Sequence, residues 1–409
     1  MSLAPLPDGV ARARQVLRDA VQRRVFPAAV AEFGTSTGAL WQEAFGRLTF
    51  DTESPSTSLA TIFDLASLTK PLVTTSVILQ LVSQQRMRLE DSPSRYCPDW
   101  AGLDREVVTI RHLLEHASGL SARFATSAPD TTDAFEHEIC TIPLEYRPGS
   151  AALYSDLGFI LLGICAERAG GASLSAQTTD ILGAVLDQSA LARSAGDVDP
   201  HGRHVGHEEH IEQDVDDGSD VHFERNVRLA PHARDGSDAR HLLTAVPADL
   251  IHQTAPTTAL PEDRRQNRRL QGEVHDNYAA ALGGFAGHAG LFGSAPGVSA
   301  IARAILTAAR GVDAPSPFTS AGVAQMTTRS SVPDSTRALG WDTMRPTSSC
   351  GRFMSPAAFG HVGFTGTSLW IDPTADRFFV LLTNRVCDGG SSDDMQVVRK
   401  AFHEALTTD

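Results

Sequence analysis

Lysine is almost missing from this chain. Of its 35 Lys and Arg residues, only Lys70 and Lys400 are lysine. A desolvated lysine gives up its proton, whereas arginine in practice does not. A lysine kept where the rest of the chain uses arginine therefore marks a place where proton transfer is required. Positive charge is scarce altogether: the net charge is −14 and the pI about 5.5. Such a balance argues against nucleic acid or an anionic membrane surface as the main partner. Aromatic residues make up only 6%, and no basic-aromatic stripe offers stacking platforms for bases. The five cysteines, Cys97, Cys140, Cys165, Cys350 and Cys387, are scattered and form no C-x-x-C pair. They read as reduced thiols rather than a disulfide framework. No apolar run reaches the length that spans a bilayer, and the first residues lack the apolar core of a signal peptide. The expectation is a cytoplasmic protein with a small-molecule substrate, no metal or cofactor, and neither nucleic acid nor membrane as partner.

With 409 residues, of which 42% are hydrophobic, the chain exceeds one ordinary core. Two lobes, or one α/β domain with an insert, are expected. Residues 8–24 space Val10, Val16, Leu17 and Val21 as an amphipathic helix. "AAVAEFGTSTGALWQEAFGRLTF" predicts two strands around a Gly-Thr-Ser-Thr-Gly turn. "LTKPLVTTSVILQLVSQQRM" predicts a long apolar helix, with Pro71 tolerated in its first turn. "GFILLGICAERAGG" predicts a helix stopped by Gly170 and Gly171, and "FGHVGFTGTSLWIDPTADRFFVLLTNR" two strands turning at Asp372-Pro373. The glycine-dense "ALGGFAGHAGLF", residues 282–293, has no βαβ surroundings. It reads as tight backbone packing near a cleft rather than a nucleotide loop. From about 187 to 241 the chain is acidic, low in apolar periodicity, and holds seven of the 15 histidines. His201, His204, His207 and His210 recur every third residue, but Pro200, Gly202 and Gly206 oppose a helix that would gather them on a metal. The segment is expected to be a solvated, loosely packed insert, with a metal site as the alternative.

Ser67 and Lys70, in Ser-Leu-Thr-Lys, stand three residues apart at the start of an apolar helix. That spacing puts both side chains on one face, so the amine reaches the hydroxyl. The positive end of the helix favours an alkoxide at Ser67 and the neutral form of Lys70. This is the arrangement of an activated serine nucleophile. Tyr154-Ser155-Asp156 opens a helix after a Pro-Gly turn. His361-Val362-Gly363-Phe364 lies on a strand whose glycine allows close approach.

Taken together, "FDLASLTKPLVTT", "VTIRHLLEHASGL", "YRPGSAALYSDLGFILLG", "LGGFAGHAGLF" and "GHVGFTGTSLWIDP" resemble the serine β-lactamase and penicillin-binding-protein superfamily. The branch is that of class C β-lactamases and β-lactamase-like carboxylesterases. The resemblance implies an α/β fold with a five-stranded antiparallel sheet flanked by helices, an all-helical second lobe, and the site between them. Residues 1–90 and 285–409 would form the sheet domain and 91–284 the helical domain. It further implies Ser67 as the acylated nucleophile and Lys70 with Tyr154 as the proton-handling pair. The N–H groups of Ser67 and Phe364 would form the oxyanion hole, with His361 to Gly363 in the place of the family's Lys-Thr-Gly. The family's Tyr-x-Asn is Tyr154-Ser155-Asp156 here, and its Lys-Thr-Gly lysine is His361, whose charge is expected to titrate near neutrality. Both changes weaken recognition of a substrate carboxylate. Small neutral esters are therefore expected ahead of β-lactams or D-amino-acid peptides. A catalytically idle ligand-binding member of the fold is the remaining alternative.

Overall fold

The computed structural model describes residues 8–125, 128–196, 241–266 and 268–408, with the backbone alone for 188–196. Its centre is a six-stranded sheet. The strands run in the order Gly38–Gly46, Ala28–Thr35, Arg377–Thr383, Ser368–Asp372, Phe359–Val362 and Asp342–Thr343. Every neighbouring pair is antiparallel, with Val30 opposite Leu382 and Leu369 opposite both Val380 and His361. Five of these strands match the expected number. The sixth is a two-residue edge strand, too short to leave a pattern in sequence.

The central strands are buried on both faces. In Ala28–Thr35, Ala28 and Val30 enter one core while Ala29 and Ala31 enter the other. Phe378, Val380 and Leu382 alternate with Phe379 and Leu381 in the same way. On one face the N-terminal helix, Asp8–Gln22, packs with the C-terminal helix, Ser392–Thr407, around Trp41, Phe402 and Met395. The N-terminal helix buries Val10, Ala13, Leu17 and Ala20. Val16 and Val21, which the apolar spacing also points to, lie at the edge of that face. The other face carries the Ala295–Ala309 helix and the large core that continues into the helices Ser76–Ser83, Asp156–Gly170 and Leu174–Gly196.

The expected long helix after Ser67 is not uniform. A 3₁₀ turn over Ala66–Leu68 and a wide π-helical turn over Lys70–Thr75 precede the regular Ser76–Ser83 helix. Pro71 contributes no N–H at this point, and the turn opens around it. In the acidic, histidine-bearing stretch, the Leu174–Gly196 helix continues past Asp187 to Gly196. The remainder of that stretch up to residue 240, including His201, His204, His207 and His210, lies outside the described residues.

The glycine-dense segment forms a backbone-to-backbone contact with the Asp156–Gly170 helix. A Cβ added at Gly287 would stand 2.0 Å from the Phe159 carbonyl oxygen, and one at Gly163 would stand 3.2 Å from the Gly287 Cα. Only glycine allows this approach. Gly287→Ala is expected to lose about 1–3 kcal/mol of stability, as overpacked cores do. Urea denaturation checks this; an unshifted midpoint would show that the two backbones are not in contact.

Candidate active site

The Ser67 turn is held from several sides. Ala66, just before it, has a left-handed φ of 48°, a strained state for alanine. The Asp64 carboxylate accepts from the Ala66 N–H (2.8 Å) and the His275 N–H (2.6 Å). Burial pushes the Asp64 carboxyl up to about 6 in spite of those two donors. Thr69 Oγ1 donates to the Ala66 carbonyl (2.6 Å) and accepts from the Leu291 N–H (3.1 Å). Across the turn lies the strand end carrying His361 and Gly363. Thr365 Oγ1 donates to the Asp64 carbonyl (2.7 Å) and Thr367 Oγ1 to the Leu65 carbonyl (3.1 Å). A Cβ at Gly363 would lie 2.7 Å from the Leu65 carbonyl oxygen, so glycine is what lets strand and turn touch.

Lys70 is completely buried. Its Nζ donates to Ser67 Oγ (3.1 Å), Asp156 Oδ1 (2.8 Å) and the His288 carbonyl (3.0 Å). Three donors meet three acceptors, which is the full capacity of an ammonium. Burial alone pulls the Lys70 pKa down, but the Asp156 carboxylate, helped by Tyr154, outweighs it and holds it above its ordinary value. The helix end was expected to favour the neutral amine. The structure corrects that: a carboxylate at 2.8 Å is a stronger local influence than a helix terminus.

Asp156 opens the Asp156–Gly170 helix, with Ser155 as its cap. Its second oxygen accepts from Arg123 Nη1 (3.0 Å), which also donates to Asp276 Oδ2 (2.9 Å). Asp276 Oδ1 in turn meets His288 Nε2 (2.7 Å). A line of alternating charge thus runs from Lys70 through Asp156 and Arg123 to Asp276, which the His288 ring meets at its far end. Asp276 is half-buried, and that withdrawal from water would by itself raise its pKa. His288 and Arg123 outweigh this and hold it well below the usual carboxylate range.

Tyr154 stands beside Lys70, with Nζ 4.8 Å from its ring centre. Its ring is flanked by His116 at 4.5 Å and His361 at 5.9 Å. His116 Nδ1 accepts from the Ser155 N–H (3.0 Å), fixing Tyr154's neighbour in place. His361 is buried, and its Nδ1 faces the Val362 carbonyl at 2.9 Å. Burial, then the charges of Arg337 and Lys70, keep both imidazoles neutral far below their ordinary range. His361 therefore does not titrate near neutrality, contrary to the reading of its residue type. Phe364 is 51% exposed, with its ring stacked on His275 at 5.5 Å.

Ser67, Lys70, Tyr154, Asp156, His361 and Gly363 thus lie in a chain of direct contacts around the Ser67 turn, and Phe364 follows Gly363 in sequence with its ring on His275. Sequence reasoning missed Asp64, His116, Arg123, Asp276, His288 and Arg337. His288 had a signal, as the one titratable side chain in a glycine-dense apolar stretch; Arg123 and Arg337 had none.

If Asp156 restrains Lys70, removing its charge should release it. In Asp156→Asn, burial would dominate and lower the Lys70 pKa. The rising limb of kcat/KM for an activated ester, which deprotonation of the base sets, is expected to move to lower pH, with a rate gain of about tenfold at neutral pH. An unmoved profile or a slower enzyme would show that the carboxylate serves the reaction instead.

The comparisons with known proteins give the family and the fold. A 28% identical relative is a "Putative D-alanyl-D-alanine carboxypeptidase" of Escherichia coli (strain K12), matched over 80% of this chain and 69% of that protein. A 27% identical one is an "N-acetylmuramyl-L-alanine amidase" of Bacillus subtilis (strain 168), over 80% and 68%. In fold, the chain is similar to EstCE1, a hydrolase with promiscuous acyltransferase activity, at a TM-score of 0.67 and 17% identity over 98% of this chain and 99% of that one. A class C β-lactamase from Rhodobacter sphaeroides superposes equally well, at a TM-score of 0.67 and 15% identity over 97% and 98%. The Beta-lactamase family model matches residues 13–401, and the chain belongs to that family.

Proposed function

We propose that the protein is a serine hydrolase that cleaves small esters, and by the same steps amides, through an acyl-enzyme on Ser67. The observation that carries this reading is the fully buried Lys70, whose Nζ lies 3.1 Å from Ser67 Oγ with the Tyr154 ring beside it. Ser67 Oγ attacks the carbonyl carbon and its proton passes to Lys70 or Tyr154. The same pair returns a proton to the leaving group as the carbonyl–leaving-group bond breaks. Water then attacks the acyl-serine, and the bond to Oγ breaks to free the acid and restore the serine. Lys70 can accept a proton only after releasing its own, so the Asp156 ion pair slows the first step at neutral pH. The N–H groups of Ser67 and Phe364 would hold the oxyanion, each worth about 3–4 kcal/mol in such sites. The Phe364 ring offers an apolar wall for the acyl group.

Small esters are supported by the neutral His361 and by the commitment of the Asp156 carboxylate to Lys70 and Arg123. A second reading, cleavage of a carboxylate-bearing amide or peptide, is favoured by a different observation. Arg337 places a guanidinium 5.1 Å from the Tyr154 ring centre, restoring a cation to the cleft. The names of the two relatives lean the same way. An idle ligand-binding role is disfavoured by the complete Ser67, Lys70 and Tyr154 set.

A fluorophosphonate should modify Ser67, as mapped by mass spectrometry, and p-nitrophenyl acetate should be turned over by the wild type but not by Ser67→Ala. Labelling elsewhere, or undiminished turnover in the variant, sinks the assignment. Lys70→Arg is expected to lose about 100- to 10,000-fold in rate, close to Lys70→Ala, because arginine keeps the charge but not the proton chemistry. Retention of most of kcat in Lys70→Arg would reduce the lysine to an electrostatic prop.

A further inference from the structure

Two buried arginines grip the turn between the strands Phe359–Val362 and Ser368–Asp372. Arg399 reaches it from the C-terminal helix, and its Nη2 donates to the carbonyls of Gly363 (2.6 Å) and Thr367 (2.9 Å). Arg385 follows the Arg377–Thr383 strand. It donates through Nε to the Phe364 carbonyl (3.1 Å) and through Nη1 to the Gly390 carbonyl (2.6 Å). Among the described residues neither arginine has a carboxylate partner, and Arg399 Nε meets no acceptor. Burying a cation away from any counter-ion is costly. Burial, with the charge of Arg385 adding to it, lowers the Arg399 pKa to about 9, so it remains a cation at neutral pH. The turn does not need that charge to close. The Gly363 N–H already donates to the Thr367 carbonyl (2.8 Å) and the Gly366 N–H to the Gly363 carbonyl (3.1 Å).

What the charge does follows from the peptide it touches. The Gly363 carbonyl and the Phe364 N–H belong to one trans peptide group, so they point in opposite directions. The carbonyl end takes two donors, the Gly366 N–H and Arg399. The N–H end donates to no acceptor among the described residues. A charged donor on the carbonyl draws electron density to the oxygen and leaves the N–H a stronger donor. We propose that Arg399 is a positioning residue for the oxyanion hole, acting through the Gly363–Phe364 peptide to aim the Phe364 N–H and strengthen its bond to the oxyanion. The inference rests on the acyl-enzyme reading, in which that N–H and the one of Ser67 receive the oxyanion, and it adds the charge that stands behind them. His361 is neutral and Lys70 is paired with Asp156, so Arg399 supplies a cation to the strand side of the site. A charge fixed there before the reaction needs no rearrangement when the oxyanion forms.

The test compares Arg399→Gln with Arg399→Lys. Both are shorter than arginine and both can still donate to a carbonyl; only the lysine keeps the charge. The burst of p-nitrophenol from p-nitrophenyl acetate reports the acylation rate. Phenylboronic acid, which adds to Ser67 Oγ as a tetrahedral anion, reports the affinity of the hole. Arg399→Gln is expected to slow acylation and weaken the boronic acid by about tenfold each, the scale of one charge-assisted contact, while Arg399→Lys keeps most of both. In the free protein, the Phe364 amide proton followed by NMR should move upfield in Arg399→Gln and stay near its wild-type position in Arg399→Lys. Equal losses in the two variants would make Arg399 a packing residue and overturn the proposal. Undiminished acylation and boronic acid affinity in Arg399→Gln, or an unmoved amide proton, would overturn it too. Should Arg399→Gln fail to fold, Arg399→Met, neutral and close to arginine in length, takes its place in the comparison. The amide shift needs no substrate, so absence of fluorophosphonate labelling at Ser67 would defeat the acyl-enzyme reading separately.

Discussion

One buried ammonium organises the site. Lys70 has no contact with solvent, so each of its three donors must find an acceptor inside the protein. The acceptors come from three distant parts of the chain: Ser67 from the strained turn, Asp156 from the start of a capped helix, and the His288 carbonyl from the glycine-dense segment. Bringing these together around one charge demands the close contact of Gly287 with the Phe159 backbone and the fit of Gly363 against Leu65. The glycines are thus the geometric counterpart of the charge. Thr74 Oγ1, which donates to the Gly287 carbonyl at 2.5 Å, ties the lysine's own helical turn to the same segment.

The charge also explains the polar line behind it. Asp156 offsets Lys70 but brings a second buried charge, which Arg123 meets. Arg123 then needs Asp276, and Asp276 is met by His288, whose carbonyl already holds Lys70. The line closes on itself. Such a network is costly to break, because removing one member leaves its neighbour buried and unpaired. It also sets the protonation from which catalysis starts, since the base must be freed from a carboxylate before it can act. The asparagine in the family's triplet would lack this restraint.

Much of this was legible in the sequence, for identifiable reasons. Ser67 and Lys70 were visible because their contact is local and because lysine is so scarce in this chain. The glycine-dense stretch was legible as packing. Its role in aiming a carbonyl at Lys70 was not, since a backbone oxygen leaves no side-chain signal. Asp156 was identified as a site residue, but its effect was misread. Its partner is 86 positions away, and sequence spacing does not report which charge a carboxylate will face. His361 was placed correctly and its protonation misjudged, because the burial that keeps it neutral depends on how the strand packs. Arg337 looked like any other arginine. The strands Arg377–Thr383 and Ala28–Thr35 were legible as strands beside their turns, but not which residue enters which core, since burial on both faces hides their alternation.

The scarcity of lysine offers a direct test of the central claim. Protein labelled with ¹⁵N at the lysine side chains should give two Nζ signals, from buried Lys70 and exposed Lys400. Following Lys70 Nζ by NMR from neutral into alkaline pH reads its protonation without reference to any substrate. With Asp156 in place, it is predicted to keep the shift of an ammonium through neutral pH and beyond. A Lys70 signal already at the neutral-amine position at neutral pH would contradict the account, and the helix end rather than the ion pair would then govern the base.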